Sequence, residues 1–327
     1  MKAIIIKNRT LSWEEVNDPI LRAGEVLVEI RAAAVNRADL MQVEGCYPPP
    51  PGCPEWPGLE ISGIIRDMSP EAIEESEWKI GDEVCALLGG GGYAEYASVH
   101  HSMLMPIPKG LPPVEAAALP EAFATAYLNL FIEGGATEGQ TLLMHAGASG
   151  LASVIIPMAK AFGLRVITTV LNETIASEIS HLGADVIVDT SRESIADVLK
   201  READAGNPVN IAIDCLGGEA VGECFPYLAY GCKWIMIATL AGDLTTVNMR
   251  TMYIKNIRLI GSTLRSKPDS KKAEILSHLK NDIWPKVESG EVRPTVHKVL
   301  PIQRAEEAHE LLRSGASRGK VILTVKS

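Results

Sequence analysis

The stretch HAGASGLASVIIPMAKAFG, residues 145–163, joins a turn of small residues to a helical pattern of apolar side chains. The apolar residues recur at i, i+3, i+4, i+7 and i+11, which places them on one face of a helix: Leu151, Val154, Ile155, Met158 and Phe162. Gly163 follows and supplies the left-handed conformation that commonly ends a helix. The stretch therefore predicts a helix over Ser149–Phe162 that packs one face against a sheet.

The turn HAGASG is similar to a phosphate-binding loop but departs from its usual spacing. The dinucleotide fingerprint is Gly-x-Gly-x-x-Gly, whereas only Gly147 and Gly150 are present here. Ser149 and Gly150 lie at the helix N-terminus, where backbone N–H groups lack partners and the helix dipole is positive. These features favour a bound pyrophosphate, although any strand-to-helix turn in an α/β protein also favours small residues.

The segments that follow this turn decide between the two interpretations. Apolar runs alternate with helical patterns, which is typical of a parallel sheet covered on both faces. The runs are TLLMH, RVITTV, DVIVD, NIAID, CKWIMIAT and IRLIGST. One of the intervening helices is predicted over Ser191–Ala205. Strands in this order fit the doubly wound Rossmann fold, so we expect the turn to bind a dinucleotide.

The two ends of the chain predict a second domain. Residues 1–101 carry short strand-like runs punctuated by Gly and Pro clusters such as CYPPPPGCPEWPG, which favours a compact, barrel-like β domain. The C-terminal part predicts helices at about Asp269–Ser289 and Ile302–Ser314, then a last strand, KVILTVK. A chain of 327 residues is also too long for one typical core, so two domains are expected.

The composition argues against several classes of function. A net charge of −10, with no run rich in Lys and Arg, argues against a nucleic-acid partner. No apolar run reaches the roughly 18 residues of a membrane helix, and the start MKAIII is too short for a signal peptide, so a cytoplasmic protein is expected. The 6 cysteines are expected to be reduced thiols; a disulfide between Cys46 and Cys53, which flank YPPPPG, is the less favoured alternative.

Motifs along the whole chain are shared with one enzyme superfamily. They are AAAVNRADLMQ (32–42), YPPPPG (47–52), WKIGDEVCALLGGGGYAEY (78–96), LMPIPKGL (104–111), AAALPEAFATAY (116–127), HAGASG, DCLGG (214–218) and STLRS (262–266). In this order they resemble the medium-chain dehydrogenase/reductase superfamily, in its zinc-free, zeta-crystallin-type quinone oxidoreductase branch. The pattern is most similar to that of the tumour-suppressor-inducible quinone oxidoreductases.

This resemblance implies the domain organisation. A GroES-like catalytic domain is expected over residues 1–120 and 266–327, and a Rossmann dinucleotide-binding domain over residues 121–265, with a cleft between them. Relatives pair their subunits through an edge strand of the nucleotide domain. The run NIRLIGSTL is apolar enough to need such cover, so we expect a homodimer.

The resemblance also indicates whether the chain binds zinc. Zinc-dependent relatives carry Cys where this chain has Asn36, and Gly-His-Glu where it has Gly58, Leu59 and Glu60. Their structural zinc needs four closely spaced cysteines, and only Cys85 lies near that region. Tetrahedral zinc requires Cys, His or carboxylate ligands. We therefore expect no metal in the reaction, which disfavours alcohol dehydrogenation and leaves the reduction of an already electrophilic acceptor.

A set of cofactor contacts follows from the same resemblance. Asn36 and Thr125 are expected at the nicotinamide, backbone groups of 237–242 and 262–265 at its carboxamide, and Arg265 as a charged group that closes the site. The predicted contacts are Asn36, Thr125, Ala148, Ser149, Gly150, Leu151, Asn172, Thr190, Leu240, Leu264 and Arg265. Simpler interpretations stay open, because Asn36 can hold a turn and Thr125 can begin a helix.

Tyr47 and Asn36 are the predicted catalytic residues. Tyr47 lies in a Pro-rich loop that faces the substrate in relatives, where its hydroxyl can bind a quinone oxygen or its ring can stack. An aromatic residue beside prolines can equally well only pack the loop. The pair His100–His101 is interpreted as the surface end of a strand, and His145 as structural rather than as an acid.

The nucleotide preference is predicted from the end of the second Rossmann strand. NAD enzymes place an acidic residue there, whereas this strand ends at Val170 and the first acid is Glu173. The chain also lacks the Gly-Ser, Lys and Tyr of its relatives; it has Asn172 and Thr190, with Arg192 as the nearby cation. We therefore expect NADPH to be preferred, but less sharply than in the family, with measurable activity on NADH.

The resulting hypothesis is a metal-free oxidoreductase that passes a hydride from NADPH to a quinone or a conjugated carbonyl. An enoyl or 2-alkenal reductase shares the scaffold and is the alternative enzyme. A cofactor-binding structural or regulatory protein, of the kind that lens crystallins of this family represent, is the alternative from another class. A small-molecule substrate is expected, without a nucleic-acid or membrane partner.

Overall fold

The structure is a computed structural model that describes residues 1–325. Its strands, in chain order, are β1 (Lys2–Lys7), β2 (Thr10–Glu15), β3 (Glu25–Ala34), β4 (Glu60–Met68), β5 (Glu83–Leu87), β6 (Tyr96–His100), β7 (Leu104–Pro106), β8 (Thr141–Met144), β9 (Arg165–Val170), β10 (Val186–Asp189), β11 (Ile211–Asp214), β12 (Lys233–Met236), β13 (Arg258–Gly261), β14 (Val296–Pro301) and β15 (Lys320–Thr324).

The α-helices follow the same order. They are α1 (Arg37–Val43), α2 (Pro70–Glu75), α3 (Pro113–Ala116), α4 (Pro120–Tyr127), α5 (Ala152–Ala161), α6 (Glu173–Ile179), α7 (Ile195–Asp204), α8 (Ala220–Cys224), α9 (Met249–Ile254), α10 (Asp269–His278), α11 (Trp284–Glu288) and α12 (Ala305–Arg313). Short 3-10 turns occupy His101–Met103, Ser180–Leu182, Phe225–Tyr227 and Ile302–Arg304, and π turns occupy Leu128–Glu133 and Leu279–Ile283.

The chain divides into two compact units. Unit 1 comprises residues 1–124, 265–290 and 294 to the end of the described chain. Unit 2 comprises residues 125–264 and 291–293. Residues 326 and 327 lie outside the described residues. Both belong to the predicted GroES-like domain, and residue 326 ends the predicted last strand.

Unit 2 is built on a six-stranded sheet with the strand order β10-β9-β8-β11-β12-β13. All of its neighbouring strands are parallel. The chain runs outward from β8 through β9 to β10, then returns to β11 on the other side of β8. This order is that of the doubly wound fold, so the predicted Rossmann sheet is confirmed, with its switch point between β8 and β11.

One face of this sheet carries a continuous apolar core. Strand residues on that face pack against helices α7 and α8 and the turn after α8. The strands contribute Leu143, Ile167, Val188, Ala212 and Trp234, and the helical segments contribute Val198, Leu199 and Phe225. Burial of each large apolar side chain contributes about 1.5–3 kcal/mol relative to exposure. This packing holds the strands in place, so the loops that follow their carboxyl ends lie together at one edge of the sheet.

Unit 1 contains two sheets. A seven-stranded sheet has the order β14-β15-β3-β4-β5-β7, with β6 also paired to β3, and a hairpin is formed by β1 and β2. Alanines of β3 pack against the two alanines that directly follow α3; the cluster is Ala32, Ala34, Ala117, Ala118 and Ile322. The central strands β3, β4 and β15 position the residues discussed below at their ends.

The helix boundaries differ from the predicted ones. Helix α5 begins at Ala152 rather than Ser149, because the preceding residues form turns in which Ser149 N–H donates to Ala146 O at 2.9 Å. The predicted helix over Asp269–Ser289 is α10, a π turn and α11, and the interruption precedes Pro285, which has no N–H to donate. Among residues 1–325 no helix is long and apolar enough to cross a membrane.

Candidate active site

The turn between β8 and α5 folds tightly against β9. Gly147 N–H donates to Thr169 O at 2.8 Å, and a Cβ at Gly147 would lie only 2.5 Å from Thr168 Oγ1. Ala146 adopts a φ of 56°, in the left-handed region that favours glycine. The turn thus needs a positive φ at one position and a close backbone approach at the next, and only the second position is a glycine.

The same turn presents unpaired backbone donors. Ser149 Oγ accepts a hydrogen bond at 3.1 Å from the N–H of Ala152, the first residue of α5. Along residues 1–325, the N–H groups of Ala148, Gly150 and Leu151 find no protein acceptor. Together with the positive end of the helix dipole, these three donors can hold a pyrophosphate.

A buried polar cluster shapes the sheet edge at the switch point. Asp214, the last residue of β11, accepts hydrogen bonds from Gly217 N–H at 3.1 Å and Trp234 Nε1–H at 3.0 Å. His145, directly after β8, pairs through Nδ1 with Thr169 Oγ1 at 3.2 Å. Burial lowers the pKa of His145, although the charge of Asp214 opposes that shift. A neutral, fully enclosed imidazole agrees with a structural role.

The region predicted to contact the adenosine ribose lies after β9 and β10. Asn172 caps α6, since its Oδ1 accepts a hydrogen bond from Ile175 N–H at 3.0 Å. Thr190 Oγ1 donates to Val170 O at 3.0 Å and ties the two strand ends together. Both predicted side chains therefore already serve the scaffold.

Arg192, the cation predicted near a 2′-phosphate, is paired with carboxylates. Its guanidinium contacts Glu173 and lies 3.5 Å from Asp189 Oδ2. The Arg192 and Glu173 side chains are 66% and 65% exposed, so water screens their attraction and keeps the pair weak. Any phosphate at this position would compete with Glu173 for the guanidinium.

The other predicted contacts in unit 2 are found on different elements. Leu240 and Leu264 follow β12 and β13, which brings both to the same sheet edge as the HAGASG turn. Leu240 is 53% exposed, whereas Leu264 is only 5% exposed. Thr125 lies inside α4, where its carbonyl accepts a hydrogen bond from Asn129 Nδ2 at 2.8 Å.

In unit 1, Arg265 is brought together with Tyr47. Arg265 is 6% exposed, and its guanidinium donates to Gly89 O at 2.8 Å, Tyr47 O at 3.2 Å and Gln42 Oε1 at 2.7 Å. The guanidinium also lies over the Tyr47 ring, 5.0 Å from its centroid. Arg265 therefore holds the Pro-rich loop to α1 and to the glycine loop, residues 89–92, a role that sequence reasoning missed.

The hydroxyl of Tyr47 keeps its proton at neutral pH. Partial burial raises the pKa of the Tyr47 hydroxyl above its ordinary value, while the Arg265 charge lowers it by a smaller amount. The hydroxyl can therefore donate a hydrogen bond to a substrate oxygen.

Asn36, at the start of α1, is held by its side chain and by its backbone. The side-chain Oδ1 accepts a hydrogen bond from Lys320 Nζ at 2.7 Å, and Nδ2 donates to Glu60 Oε1 at 3.0 Å. The backbone N–H donates to Asp39 Oδ2 at 2.8 Å. Burial raises the pKa of Asp39 to about 6, against hydrogen bonds that lower it. Asp39 thus holds the backbone at the start of α1, whereas the side-chain amide of Asn36 hydrogen-bonds with Lys320 and Glu60.

The residues at the positions where the resemblance places the metal ligands of zinc-dependent proteins do not fit a metal. Leu59 has no ligand atom, and Asn36 Oδ1 and the Glu60 carboxylate are engaged by the ammonium of Lys320. Within residues 1–325, no group of three or more His, Cys, Asp and Glu side chains is arranged to bind a metal ion.

Elemental analysis of the purified protein is accordingly expected to find well under one zinc per chain. Chelators are expected to leave turnover unchanged, because no donor set comparable to that of a zinc enzyme is present among the described residues. Stoichiometric zinc that copurifies with active protein would contradict the ligand argument.

Sequence reasoning did not identify Lys320 or Glu60 as partners. Each charged residue begins a strand, β15 and β4 respectively, at the start of a run of mostly buried residues, and both are buried. A charge at the end of a buried run was the available signal, since isolated buried charges are strongly disfavoured.

A cavity of about 780 Å³ lies beside the Pro-rich loop in unit 1. Pro50, Cys53, Trp56 and Gly89 are among the residues that line it. None of the predicted catalytic or cofactor-binding residues does. The predicted residues of unit 1, which are Asn36, Tyr47 and Arg265, therefore do not line this cavity.

Two protein-family descriptions match separate parts of the chain. An alcohol dehydrogenase GroES-like domain matches residues 22–109, and a zinc-binding dehydrogenase domain matches residues 182–323. The GroES-like part of the predicted fold class is thereby confirmed.

Similar proteins extend the match over the whole chain. The quinone oxidoreductase of Mus musculus is 27% identical over 308 residues, which is 93% of this chain and 90% of the relative. The crystal structure of the quinone oxidoreductase from Thermus thermophilus, studied also with NADPH, has a TM-score of 0.82 and 27% identity, and the match covers 99% of this chain and 100% of that one. The crystal structure of an NAD-dependent alcohol dehydrogenase matches with the same TM-score of 0.82 and 27% identity, over 100% of both chains.

Proposed function

Because the chain belongs to the medium-chain dehydrogenase/reductase superfamily, of the quinone oxidoreductase type, we propose that it is a metal-free, NADPH-dependent quinone reductase. The chain is an oxidoreductase with a nicotinamide cofactor and a small-molecule substrate. One observation carries the finer proposal: a buried Lys320–Glu60 pair engages Asn36 where zinc-dependent relatives have metal ligands. Without a Lewis acid the acceptor must already be electrophilic, as a quinone is.

The proposed mechanism assigns separate tasks to the two units. The bound nicotinamide supplies the hydride. In unit 2, the N–H groups of Ala148, Gly150 and Leu151 bind the pyrophosphate and so orient the cofactor. In unit 1, the hydroxyl of Tyr47 donates its proton to the quinone oxygen that becomes negatively charged. Arg265 keeps the loop of Tyr47 in place. Asn36, Thr125, Leu240 and Leu264 stay predictions as contacts of the nicotinamide.

Turnover of the purified protein tests this proposal. We expect NADPH oxidation in the presence of benzoquinones and naphthoquinones to exceed that with 2-alkenals by at least about tenfold in kcat/KM, or about 1.4 kcal/mol. Faster reduction of the alkenal carbon–carbon bond would favour the enoyl reductase alternative instead. NADPH binding without turnover of either class would indicate the structural or regulatory alternative.

The cofactor preference is proposed to depend on Glu173. Replacement of Glu173 by Gln frees Arg192 from one carboxylate and removes a charge that repels a 2′-phosphate. We expect KM for NADPH to fall about 3- to 10-fold, or roughly 0.6–1.4 kcal/mol, with KM for NADH unchanged. Steady-state kinetics of the wild type and the variant with both cofactors measure the effect.

Glu178→Gln, on the same helix, makes the same change in net charge and is the matched control. It is expected to leave both KM values at the wild-type level. The wild type is expected to prefer NADPH modestly and to accept NADH. Strict specificity for NADH would contradict the NADPH assignment.

A homodimer is proposed from the exposed edge of unit 2. Strand β13 is the last strand of the sheet, and Leu259 on it is 45% exposed. Helix α9 precedes it in sequence and has no fully buried residue, and Met249 and Tyr253 are each 68% exposed. An uncovered strand edge with apolar neighbours favours a partner, and a second copy of the chain supplies a matching edge.

Light scattering at micromolar concentration is expected to give the mass of a dimer. Leu259→Glu places a charge on the edge and is expected to shift the protein towards monomer. Ile73→Glu, at a 59% exposed position of unit 1, is the control and is expected to leave the mass unchanged. A monomeric wild type would refute the proposed dimer.

A further inference from the structure

Lys320 and Glu60 form an ion pair inside unit 1. Lys320 is 3% exposed and Glu60 0%, and Nζ lies 2.6 Å from Glu60 Oε1. The other ammonium hydrogens go to Asn36 Oδ1 at 2.7 Å and Val35 O at 3.2 Å. Glu60 Oε2 accepts a hydrogen bond from Glu121 N–H at 2.8 Å. Both charges are therefore compensated by hydrogen bonds.

Such a pair is poorly explained by stability alone. The removal of two charges from water is often no better than the burial of apolar residues of the same volume. This pair also meets a residue at the predicted catalytic position, because the Asn36 amide contacts both the ammonium and the carboxylate. Its location thus points to a role in setting the geometry of Asn36.

The pair fixes which way the Asn36 amide faces. An ammonium only donates and a carboxylate only accepts, so Oδ1 must face Lys320 and Nδ2 must face Glu60. A flipped amide would oppose donor to donor and acceptor to acceptor. The contact with the ammonium also polarises the amide and strengthens its N–H groups as donors.

We propose that Lys320, together with Glu60, is a positioning residue that makes Asn36 a hydrogen-bond donor to the carbonyl oxygen of the substrate. One hydrogen of Nδ2 is used by Glu60, whereas the other reaches only Ala34 O, at a long 3.3 Å. This weakly bound hydrogen is the one that a partly exposed Asn36 can offer to a substrate oxygen that gains charge on hydride transfer. The proposal rests on the proposed quinone reductase activity.

The double variant Lys320→Met/Glu60→Gln tests this role. It removes both charges at once, so that no unpaired charge is left buried. The amide introduced in place of the Glu60 carboxylate can either donate or accept, so the orientation of Asn36 is no longer fixed. We expect kcat for quinone to fall about 10- to 100-fold, while the dissociation constant for NADPH stays within about threefold of wild type.

A matched control uses an exposed pair of the same unit. Lys298 Nζ lies 3.1 Å from Glu307 Oε1, with side chains 44% and 35% exposed. Lys298→Met/Glu307→Gln makes the same chemical changes and is expected to keep the wild-type kcat. A wild-type kcat in the folded Lys320→Met/Glu60→Gln variant, shown by NADPH binding and a cooperative thermal transition, would overturn the proposal.

An NMR measurement keeps the proposal separate from the proposed activity. With ¹⁵N-labelled asparagine, the side-chain signals of Asn36 are identified by their loss in Asn36→Ser. We expect these signals to shift, and their hydrogens to exchange faster, in the Lys320→Met/Glu60→Gln variant. Unchanged Asn36 signals would refute the positioning role even if turnover fell, whereas a wild type without quinone turnover would refute the proposed function.

Discussion

Ser149→Leu is expected to lower NADPH affinity by at least about 100-fold, or about 2.7 kcal/mol, while unit 2 stays folded. Ser149 stands between Ala148 and Gly150, whose N–H groups are proposed to bind the pyrophosphate, and its side chain lies at the N-terminus of α5. A leucine there fills the space next to these donors and covers them with apolar atoms. The lost hydrogen bond from Ala152 N–H costs only about 1 kcal/mol, which a domain of this size tolerates.

Ser149→Ala is the matched control for this variant. It loses the same hydrogen bond from Ala152 N–H but adds no bulk, so NADPH affinity is expected to stay within about threefold of wild type. Fluorescence titration with NADPH gives the affinities, and thermal unfolding shows whether both variants fold. Wild-type affinity in a folded Ser149→Leu protein would mean that the phosphate lies elsewhere.

Arg265→Met is expected to lower the free energy of unfolding by about 3–5 kcal/mol and to reduce quinone turnover. The substitution leaves Gln42 Oε1, which is buried, and Gly89 O and Tyr47 O, which are partly buried, without their donor. An unsatisfied buried acceptor costs about 1–3 kcal/mol and a partly buried one costs less, and the stacking on Tyr47 is lost as well. Turnover is expected to fall because the loop of Tyr47 is released from α1.

Two further variants define what this change means. Arg265→Lys keeps the charge but lacks the planar fork, so an intermediate loss of stability is expected. Arg201→Met removes an exposed ion pair with Glu193 in unit 2 and is expected to change stability by no more than about 0.5 kcal/mol. Urea unfolding followed by circular dichroism provides the comparison. An Arg265→Met protein as stable as Arg201→Met would show that the guanidinium does not hold the loop.

The doubly wound sheet was predictable from the sequence because its signals are local. Each strand of unit 2 is a short apolar run, and each helix has its own periodicity, so the strand order followed from known rules of connection. The donors of the HAGASG turn were predictable for the same reason, since a helix start leaves its first N–H groups unpaired whatever surrounds it. The precise start of α5 was not, because it depends on how the turn packs against Thr168 and Thr169.

The partners of the charged residues were decided by the tertiary structure alone. Arg192 was identified as a cation near the ribose, but the sequence did not show that it contacts Glu173. Arg265 was predicted to meet the cofactor, and the fold directs its guanidinium to acceptors on the Pro-rich and glycine loops, while its role toward the cofactor stays a prediction.

The sequence by itself determined the class of fold, the family resemblance and the absence of zinc ligands at positions 36 and 59. Only the folded chain brings Lys320 within 2.7 Å of Asn36, across 284 positions of sequence. Helix and strand periodicity is set by neighbours along the chain, whereas the partner of a buried charge is set by which strand ends meet in space. A long side chain such as lysine or arginine leaves no periodic signal of its partner, and the high free energy of an unpaired buried charge acts only once the strands have packed around it.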